Sequence, residues 1–478
     1  MVFNSYTFLV FFACVVAVHR LPIGWTWKKV NLLLASYLFY AAWNPPFVIL
    51  LGLSTVVDWQ VGHILGDVNA GRRKKKLALL CSLAVNLGLL GLFKYGNFLL
   101  VNFTALLSSA GIEYVAPEWN LVLPVGISFY TFQTLSYSID IYRGKSRPWN
   151  SILDFALYVS FFPQLVAGPI VRASTFLPQC EQYRRISAAR FSWGCTLFLL
   201  GLFQKSVVAD AFLAPIVDKV YSESSADFIS AWAGTCAFAG QIFCDFSGYS
   251  TCAIGVAMCL GFALPDNFRC PYAAIGLSDF WRRWHVSLSS WLKDYMYIPL
   301  GGNRSGTVRT GSNLMITMLV GGLWHGAAWH FVVWGALHGV FLIAERPLTN
   351  SRVSKFSVWQ TMWGRGVLRL LTFVLVCFAW TFFRADSLSQ ATDFAVSMTM
   401  PFSDFAAAAV RSVSEGDALI ALGITGSLIV IHWQLQQSSF EDAFGRLPGT
   451  IRIPILAALF CAVVLMPGDN RAFIYFQF

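Results

Sequence analysis

The sequence predicts an all-α integral membrane protein with many spans, and three observations support this fold class. The 478-residue chain is 56% hydrophobic and only 12% charged, whereas a soluble domain carries about 25% charged residues. Its mean hydropathy is +0.60. Apolar runs close to the ~20 residues that a helix needs to cross a bilayer recur along the whole chain.

The apolar runs predict where the spans lie. The candidate spans are residues 3–18, 30–43, 46–65, 77–107, 121–142, 191–215, 229–262, 312–325, 328–345, 367–384, 416–433 and 453–467. Several are too short or too long for a simple span, so we expect roughly nine to twelve. The chain shows no linker, low-complexity tract or repeat, which predicts one domain over residues 1–478.

Residues 151–178 predict a broken or re-entrant element. They contain Pro163, Pro169 and Pro178 together with Gly168. Non-helical backbone at membrane depth is tolerated only where protein or water covers it.

The gaps between the spans alternate in positive charge. Three to six Lys or Arg residues lie in each of the gaps 19–29, 66–76, 143–147, 172–190, 266–310 and 346–369. The gaps 108–120, 216–228 and 386–415 hold at most one each. The positive-inside rule places the basic gaps in the cytoplasm and both termini outside, provided that residues 151–178 enter and leave on one side.

Composition also argues against other classes of protein. The net charge of +10 resides in short gaps between apolar runs, where it sets orientation, so we expect no nucleic-acid partner. The 11 cysteines contain no CxxC pair, which favours packing roles over a disulfide framework.

One apolar run contains histidines at positions where lipid-buried helices rarely place them. Residues 318–331 read MLVGGLWHGAAWHF, and His325 falls at a break between two apolar pieces beside Gly322 and Gly326. An ionisable group at that depth is a candidate functional residue. A neutral histidine hydrogen-bonded between helices is the equally open alternative. His330 lies on another helix face, and we expect it and His338 to pack or to line a polar surface.

The spacing of these histidines argues against a metal site. A helical zinc pair needs histidines at i and i+4 and usually an acid. His325 and His330 are five apart, and no Asp or Glu occurs in residues 311–344. We therefore expect no metal, and no nucleophile-elbow, P-loop or Rossmann pattern is present either.

A second stretch combines basic and aromatic residues on the predicted cytoplasmic side. Residues 278–304 read SDFWRRWHVSLSSWLKDYMYIPLGGNR. An amphipathic interfacial segment explains most of this composition, because Trp favours the headgroup level and Lys and Arg face the phosphates. It explains His285 less well. The same surface could hold a phosphorylated carrier such as coenzyme A, and its basic candidates are Arg282, Arg283, Lys293 and Arg304.

Other charged residues interrupt apolar runs. Lys94, Lys205, Asp210 and Asp245 could each form buried structural pairs or line a cavity, and we favour the structural role. Lys205 and Asp210 are five residues apart, which predicts poor direct pairing on an α-helix.

The two motifs, DFWRRWHVSLSSWLKDYMYIPLGGNR and GGLWHGAAWHFVVWG, resemble the membrane-bound O-acyltransferase family. Further segments are similar to its bacterial polysaccharide branch: residues 123–144, 162–172, 243–255, 382–391 and the terminal FIYFQF. The resemblance implies a helical ring with broken or re-entrant central helices and a tunnel to the catalytic histidine. That histidine corresponds to His325, and the second family histidine corresponds to His285.

The resemblance also implies a function. The chain would take acetyl from cytoplasmic acetyl-CoA and pass it across the bacterial inner membrane for O-acetylation of a polysaccharide, alginate first, with peptidoglycan or another exopolysaccharide still open. The expected partners are an extracytoplasmic acetyltransferase and membrane lipid. The rival hypotheses are a proton-coupled transporter, which also uses intramembrane charges and broken helices, and a structural scaffold.

Overall fold

A computed structural model describes residues 1–117, 121–400, 411–436, 438, 440–468, 471 and 473–474. Every regular element in this described part is helical, and it contains no β-strand. The predicted all-α class is therefore confirmed. Part of the terminal FIYFQF motif, residues 475–478, lies outside the described residues.

The helices follow one another with short connections. The α-helices are α1 (Tyr6–Arg20), α2 (Trp25–Ala41), α3 (Phe47–Gly66), α4 (Arg72–Leu90), α5 (Gly96–Ser109), α6 (Ile127–Tyr142), α7 (Ile152–Ser160), α8 (Phe162–Leu165), α9 (Ala173–Phe176), α10 (Ala188–Leu202), α11 (Ala214–Tyr221), α12 (Phe228–Cys259), α13 (Leu277–Arg283), α14 (Val286–Leu292), α15 (Gly306–His325), α16 (Trp329–Asn350), α17 (Met362–Arg384), α18 (Leu388–Thr399), α19 (Glu415–Gln434), α20 (Phe440–Gly445) and α21 (Gly449–Leu465). The π-helical segments are Gly91–Tyr95, Phe203–Leu213 and Lys293–Tyr297, and the 3₁₀ turns are Leu177–Cys180, Pro271–Ala273, Val353–Lys355 and Ser357–Gln360.

Seven described helical stretches are long and apolar enough to cross a membrane. They are Phe47–Gly66, Arg72–Ser109, Ala188–Tyr221, Phe228–Cys259, Trp329–Asn350, Met362–Arg384 and Glu415–Gln434. Two shorter apolar helices, α1 and α21, add to them. The chain is thus a multi-pass membrane protein, as predicted. The predicted spans near 30–43, 121–142 and 312–325 form α2, α6 and α15, which are not among the seven, and the total of nine to twelve stays a prediction.

The chain folds into two compact units. Unit 1 comprises residues 1–198 and 252–265, and unit 2 comprises residues 199–251 and 266–478. The single polytopic domain expected from the sequence stays a prediction.

In unit 1, a buried hydrogen-bond cluster joins α3, α4 and α6. Ser82 Oγ and Ser138 Oγ donate to Asp58 Oδ1 at 2.5 and 2.7 Å. Asn86 Nδ2 donates to Asp58 Oδ2 at 2.6 Å. Within a membrane, burial of apolar surface does not drive helices to associate, so hydrogen bonds between polar side chains on neighbouring helices contribute to their association. This cluster explains why the polar residues of α6 from Ser128 to Ser138 are buried.

Residues 151–178 are broken, as predicted. The segment consists of the short helices α7, α8 and α9 and the start of a 3₁₀ turn, and residues 154–171 within it are all buried. The single hydrogen of the Tyr158 hydroxyl lies within reach of two backbone oxygens, those of Gln133 at 3.1 Å and Val171 at 3.0 Å. Gln164 Nε2 donates to the Tyr158 carbonyl at 2.8 Å. Protein groups therefore satisfy the irregular backbone, as membrane burial requires.

In unit 2, the backbones of the antiparallel helices α15 and α16 approach each other closely. A Cβ added to Gly322 would overlap the carbonyl oxygen of Phe331, and one added to Gly335 would overlap that of Met318. The two glycine Cα positions also face each other, because each added Cβ would lie 3.3 Å from the other glycine's Cα. Small residues permit this approach of two backbones within a membrane protein.

The structure corrects one expectation about charged residues. Lys205 Nζ lies 2.8 Å from Asp210 Oδ1 and also pairs with Asp245 Oδ1. Residues 203–213 form a π-helix, whose i→i+5 bonding brings side chains five positions apart onto one face. The prediction of poor pairing was wrong because it assumed an α-helix. All three side chains are buried, and they also line a polar cavity, so the structure shows both roles that the sequence leaves open, the ion pair and the cavity lining.

The α15–α16 contact yields a prediction about stability. We expect Gly322→Ala to destabilise the protein by about 1–3 kcal/mol, the usual effect of overpacking, because the methyl group has no space. The measurement is the thermal midpoint of the detergent-solubilised protein, followed by fluorescence-detected size exclusion. Gly423→Ala in α19 is the control, because no atom lies within 4 Å of its added Cβ. An equal midpoint for the two variants would contradict the close contact.

Candidate active site

His325 occupies the carboxyl end of α15. The helix ends at this residue because Gly326 adopts extended backbone, with φ of −157°, and α16 begins at Trp329. A Cβ at Gly326 would overlap the Phe331 ring, so only glycine fits this turn. The sequence prediction of a break at His325 is confirmed, and the side chain is buried at 3% exposure.

His285 lies at the junction of α13 and α14 with a positive φ of 43°. Left-handed backbone is uncommon for residues other than glycine and costs of order 1–3 kcal/mol, so the surrounding structure must hold it. Asn267 does so: its backbone carbonyl accepts from the Val286 amide at 2.9 Å. Its side-chain Oδ1 accepts from Ser287 Oγ at 2.9 Å.

The same amide orients the His285 ring. His285 Nδ1 lies 3.1 Å from Asn267 Oδ1, and because that oxygen only accepts, Nδ1 carries the proton. The lone pair of the neutral ring is then on Nε2. Complete burial lowers the pKa of His285 to about 3, so the ring is neutral at physiological pH.

Aromatic rings enclose both histidines. The centroids of the His325 and His285 rings are 6.3 Å apart, and Trp324 lies 5.0 Å from the first and 5.7 Å from the second. Trp334 and Phe383 pack edge-on against His325 at 5.0 and 5.3 Å. The structure thus brings together the two histidines that the sequence singled out 40 residues apart, inside a site with few other polar groups.

Phe246 also contributes to the aromatic enclosure of His285. Its ring packs edge-on against His285, with the centroids 4.6 Å apart. This residue belongs to α12, a helix that the sequence motifs of the two histidines do not include.

A cavity of about 200 Å³ reaches His325. Its lining residues are Ser278, Trp281, Leu288, Ser289, Leu292, Lys293, Tyr297, Leu314, Thr317, Met318, Gly321, His325 and Leu342. Most of them are apolar, and Lys293 is the basic residue among them. The lining comes from residues 278–297, from α15 and from α16, so the cavity joins the stretch 278–304 to His325.

The structure separates the four basic residues predicted to bind a phosphorylated carrier. Lys293 is exposed and lines the cavity. Arg282 and Arg304 are exposed, and neither they nor Arg283 is in this cavity's lining. Arg283 bonds within the protein, with Nε 3.0 Å from Asp279 Oδ2 and Nη1 3.1 Å from the Gln436 carbonyl.

His330 and His338 pack within the protein, which is one of the two roles that the sequence predicts for them. His330 Nδ1 lies 3.0 Å from the Phe382 carbonyl. His338 is fully buried, and its Nδ1 accepts from Trp281 Nε1 at 3.3 Å. Among the described residues, no group of three or more His, Cys, Asp or Glu side chains is placed to hold a metal ion.

Sequence reasoning missed several residues of the site. Asn267, Phe246 and Phe383 reach the histidines from distant parts of the chain, and none of them was singled out. The sequence holds a weak signal for Phe246 and Phe383, because the segments 243–255 and 382–391 that contain them resemble the family. Asn267 has no such signal, because its role depends on a turn that only the fold creates.

A family model decides the identity of the chain. The family model described as "MBOAT, membrane-bound O-acyltransferase family" matches residues 138–384. This range is just over half of the 478 residues and includes both histidines. The chain belongs to the membrane-bound O-acyltransferase family. It is therefore an enzyme that transfers acyl groups, and this decides against a transporter without acyl-transfer chemistry.

Individual members of the family are similar over most of the chain. The "Probable alginate O-acetylase AlgI" of Azotobacter vinelandii is 40% identical over 392 residues, which cover 82% of this chain and 76% of that protein. The protein of the same name from Pseudomonas aeruginosa is 39% identical over 394 residues, covering 82% and 73%. The "Peptidoglycan O-acetyltransferase" of Helicobacter pylori is 38% identical over 392 residues, covering 76% and 72%.

The Asn267–His285 contact yields a prediction for this acyltransferase. Asn267→Ala removes the acceptor that orients the ring, and we expect acyl transfer to fall by about 10²-fold, the usual effect of a misplaced group. The measurement is transfer activity in membranes at matched protein levels. Asn102→Ala is the control, because its amide bonds within its own helix, to the Phe98 carbonyl. Wild-type activity in Asn267→Ala would show that the orientation of His285 is irrelevant.

Proposed function

We propose that this chain is a membrane O-acetyltransferase that takes an acetyl group from acetyl-CoA on the cytoplasmic side. It passes the group across the bacterial inner membrane for O-acetylation of an extracytoplasmic polysaccharide, most simply alginate. The observation that carries the proposal is the cavity at His325. It connects a buried histidine to Lys293, which lies in the segment that the positive-inside rule places in the cytoplasm.

In this proposal, His325 is the general base. It removes the proton from the acceptor hydroxyl as the oxygen attacks the thioester carbonyl. The C–O bond forms, the C–S bond breaks, and the imidazolium returns the proton to the departing thiolate. His285, held neutral with its lone pair on Nε2, orients the thioester or relays that proton.

The size of the cavity suggests how the donor binds. At about 200 Å³ it is smaller than the ~300–1,000 Å³ of sites that enclose a whole ligand. It therefore suits the acetyl-thioester end of acetyl-CoA, with the phosphates left at the protein surface. Lys293, Arg282 and Arg304 are exposed and available there. Arg283 is the least suited of the four predicted residues, because its guanidinium already bonds Asp279 and Gln436.

We propose an extracytoplasmic acetyltransferase as the partner in this polysaccharide modification. The connections between the described helices are short, so within the described residues no soluble domain reaches toward the polymer. Membrane lipid surrounds the chain, and both termini are proposed to lie outside the cytoplasm.

A second acceptor has independent support. The Helicobacter pylori peptidoglycan enzyme is nearly as similar as the alginate proteins, at 38% against 39–40% identity. Peptidoglycan is therefore the alternative acceptor. Assay of both polymers from the same cells decides between them.

The catalytic assignment predicts the effect of replacing each histidine. Cells that lack the native gene are complemented with wild type, His325→Ala or His285→Ala at matched membrane levels. We expect the acetyl content of the polysaccharide to fall by about 10²–10⁴-fold, the usual contribution of positioned acid–base catalysis. His63→Ala is the control, because His63 bonds the Trp59 carbonyl in unit 1. Full acetylation with His325→Ala would show that this histidine only packs.

The donor assignment predicts a change in KM. Lys293→Ala should raise KM for acetyl-CoA about tenfold with a smaller change in kcat, the pattern expected when binding shared by substrate and transition state is lost. Arg309→Ala is the control, since it removes an exposed positive charge that does not line the cavity. Steady-state kinetics of thiol release would measure both. The same rise in both variants would mean that general surface charge, not a site, attracts the donor.

A further inference from the structure

Another cavity in unit 2 is larger than the one at His325 and mostly apolar. It measures about 360 Å³, which exceeds the lower limit of ~300 Å³ for sites that bury most of a ligand. None of its lining residues lines the cavity at His325. The acyl-transfer reaction proposed above therefore does not use this space.

The apolar cavity lies between two helices that face lipid. Leu428 and Ile431 line it from α19, and Ile455 and Leu459 line it from α21. Both helices pack on the π-helical segment Phe203–Leu213, which supplies the inner wall together with α12. No residue of α21 is buried, and only three of the 20 residues of α19 are. The cavity therefore adjoins the hydrocarbon of the bilayer.

The walls of this cavity offer few polar atoms to a ligand. The lining residues with polar or thiol groups are Gln204, Cys244, Ser247, Cys270 and His432. His432 Nδ1 already accepts from the Tyr272 amide at 3.3 Å, and the Cys270 thiol donates to the Leu435 carbonyl at 3.5 Å. A ligand rich in hydroxyls or charges would leave its own polar groups without partners here, which is costly. The lining thus favours a hydrocarbon chain.

Two arginines lie beside this cavity where the chain enters α21. Arg446 is exposed and occupies the turn before α21, between two lining residues. Arg452 precedes Ile455 by three residues and Leu459 by seven, so the three side chains share one face of the helix. Neither arginine forms an ion pair with a described carboxylate, including that of Asp442, four residues before Arg446.

The predicted topology places both arginines at the cytoplasmic surface. α19 follows the gap 386–415, which the positive-inside rule places outside, so α19 ends and α21 begins on the cytoplasmic side. Basic side chains at that level attract anionic lipid headgroups. Along α21, positive charge at the surface is therefore followed by an apolar cavity at membrane depth, the order of headgroup and tail in a phospholipid.

We propose that this cavity binds one fatty-acyl chain of an anionic phospholipid from the cytoplasmic leaflet, with the lipid phosphate at Arg446 and Arg452. The chain enters between α19 and α21. Guanidinium groups suit the phosphate because they donate several hydrogen bonds in a fixed planar geometry. The site differs from the general lipid surface of the helices because it encloses one chain and pairs one headgroup.

The test measures lipid binding to the purified full chain in detergent by native mass spectrometry. Dioleoyl phosphatidylglycerol is titrated, and the fraction of protein with one bound lipid gives an apparent Kd. Leu459→Trp places an indole ring in the cavity and should raise this Kd at least about tenfold, the usual penalty for excess bulk in an apolar pocket. Leu465→Trp is the control, because it adds the same ring to α21 at a position that is 78% exposed and does not line the cavity.

The opposite wall provides the same test if Leu459→Trp is not recovered as a monodisperse protein. Ile431→Trp narrows the cavity from α19 and should also weaken lipid binding. Its control is Val430→Trp, since Val430 is the next residue, is exposed and does not line the cavity.

A second pair of variants tests the phosphate contact. Replacement of both Arg446 and Arg452 by Ala should raise the Kd about 30-fold, because each basic residue near a membrane surface contributes roughly fivefold. The control replaces Arg309 and Arg352 by Ala, which removes the same charge from exposed positions in two other basic gaps. Its Kd should stay within about twofold of wild type, since salt screens distant charges.

Gln204→Leu tests the chemical class of the occupant. Gln204 Oε1 is buried and accepts no hydrogen bond from a described residue. Removal of this amide makes the wall more apolar, so a hydrocarbon chain should bind at least as tightly as in wild type. A ligand that donates a hydrogen bond to Gln204 would bind more weakly.

Each outcome supports or overturns the proposal. A wild-type protein that forms no lipid complex overturns it. An equal effect of Leu459→Trp and Leu465→Trp overturns the enclosed chain, and an equal effect of the two double arginine variants overturns the phosphate contact. Weaker lipid binding by Gln204→Leu means that the occupant is a polar molecule, which also overturns it.

Discussion

The close contact between α15 and α16 is the constraint on which the candidate site depends. Glycines at 322 and 335 let the two backbones approach, and Gly326 lets the chain turn where a side chain would collide with Phe331. The turn leaves His325 at a helix end, facing a cavity, instead of in mid-helix, facing lipid. In lipid, helices associate through such packing and not through burial of apolar surface. The His325 imidazole is thus surrounded by protein and avoids the free-energy cost of facing lipid.

The hydrocarbon core of the membrane also explains why the buried polar groups of each unit are paired within the protein. Hydrocarbon offers no hydrogen bonds, so every polar group must find partners in the protein. In unit 1, Asp58 accepts from Ser82, Ser138 and Asn86. In unit 2, Lys205 is held between two carboxylates, and the π-helix makes this geometry possible. The polar residues that interrupt apolar runs in the sequence are therefore held by ion pairs and hydrogen bonds, and those of unit 2 also line a cavity.

The site combines an enclosed aromatic layer with two cavities of opposite character. One is mostly apolar and leads from His325 to Lys293, and the other is polar and lies behind Phe246 and Phe383. The aromatic layer also keeps bulk water from the histidines, which favours transfer over hydrolysis. Membership of the O-acyltransferase family is consistent with each of these features.

The sequence by itself determined the fold class, the multi-pass topology, the break at His325 and the two histidines that meet. Hydropathy and short motifs predict these features, because a span or a helix break depends on residues that are adjacent in the sequence. Only the tertiary structure decided that Asn267 orients His285, that Arg283 bonds within the protein while Lys293 reaches the cavity, and that Lys205 pairs with Asp210. Those outcomes depend on contacts between residues far apart in the chain, or on a π-helix that an assumed α-helical period conceals.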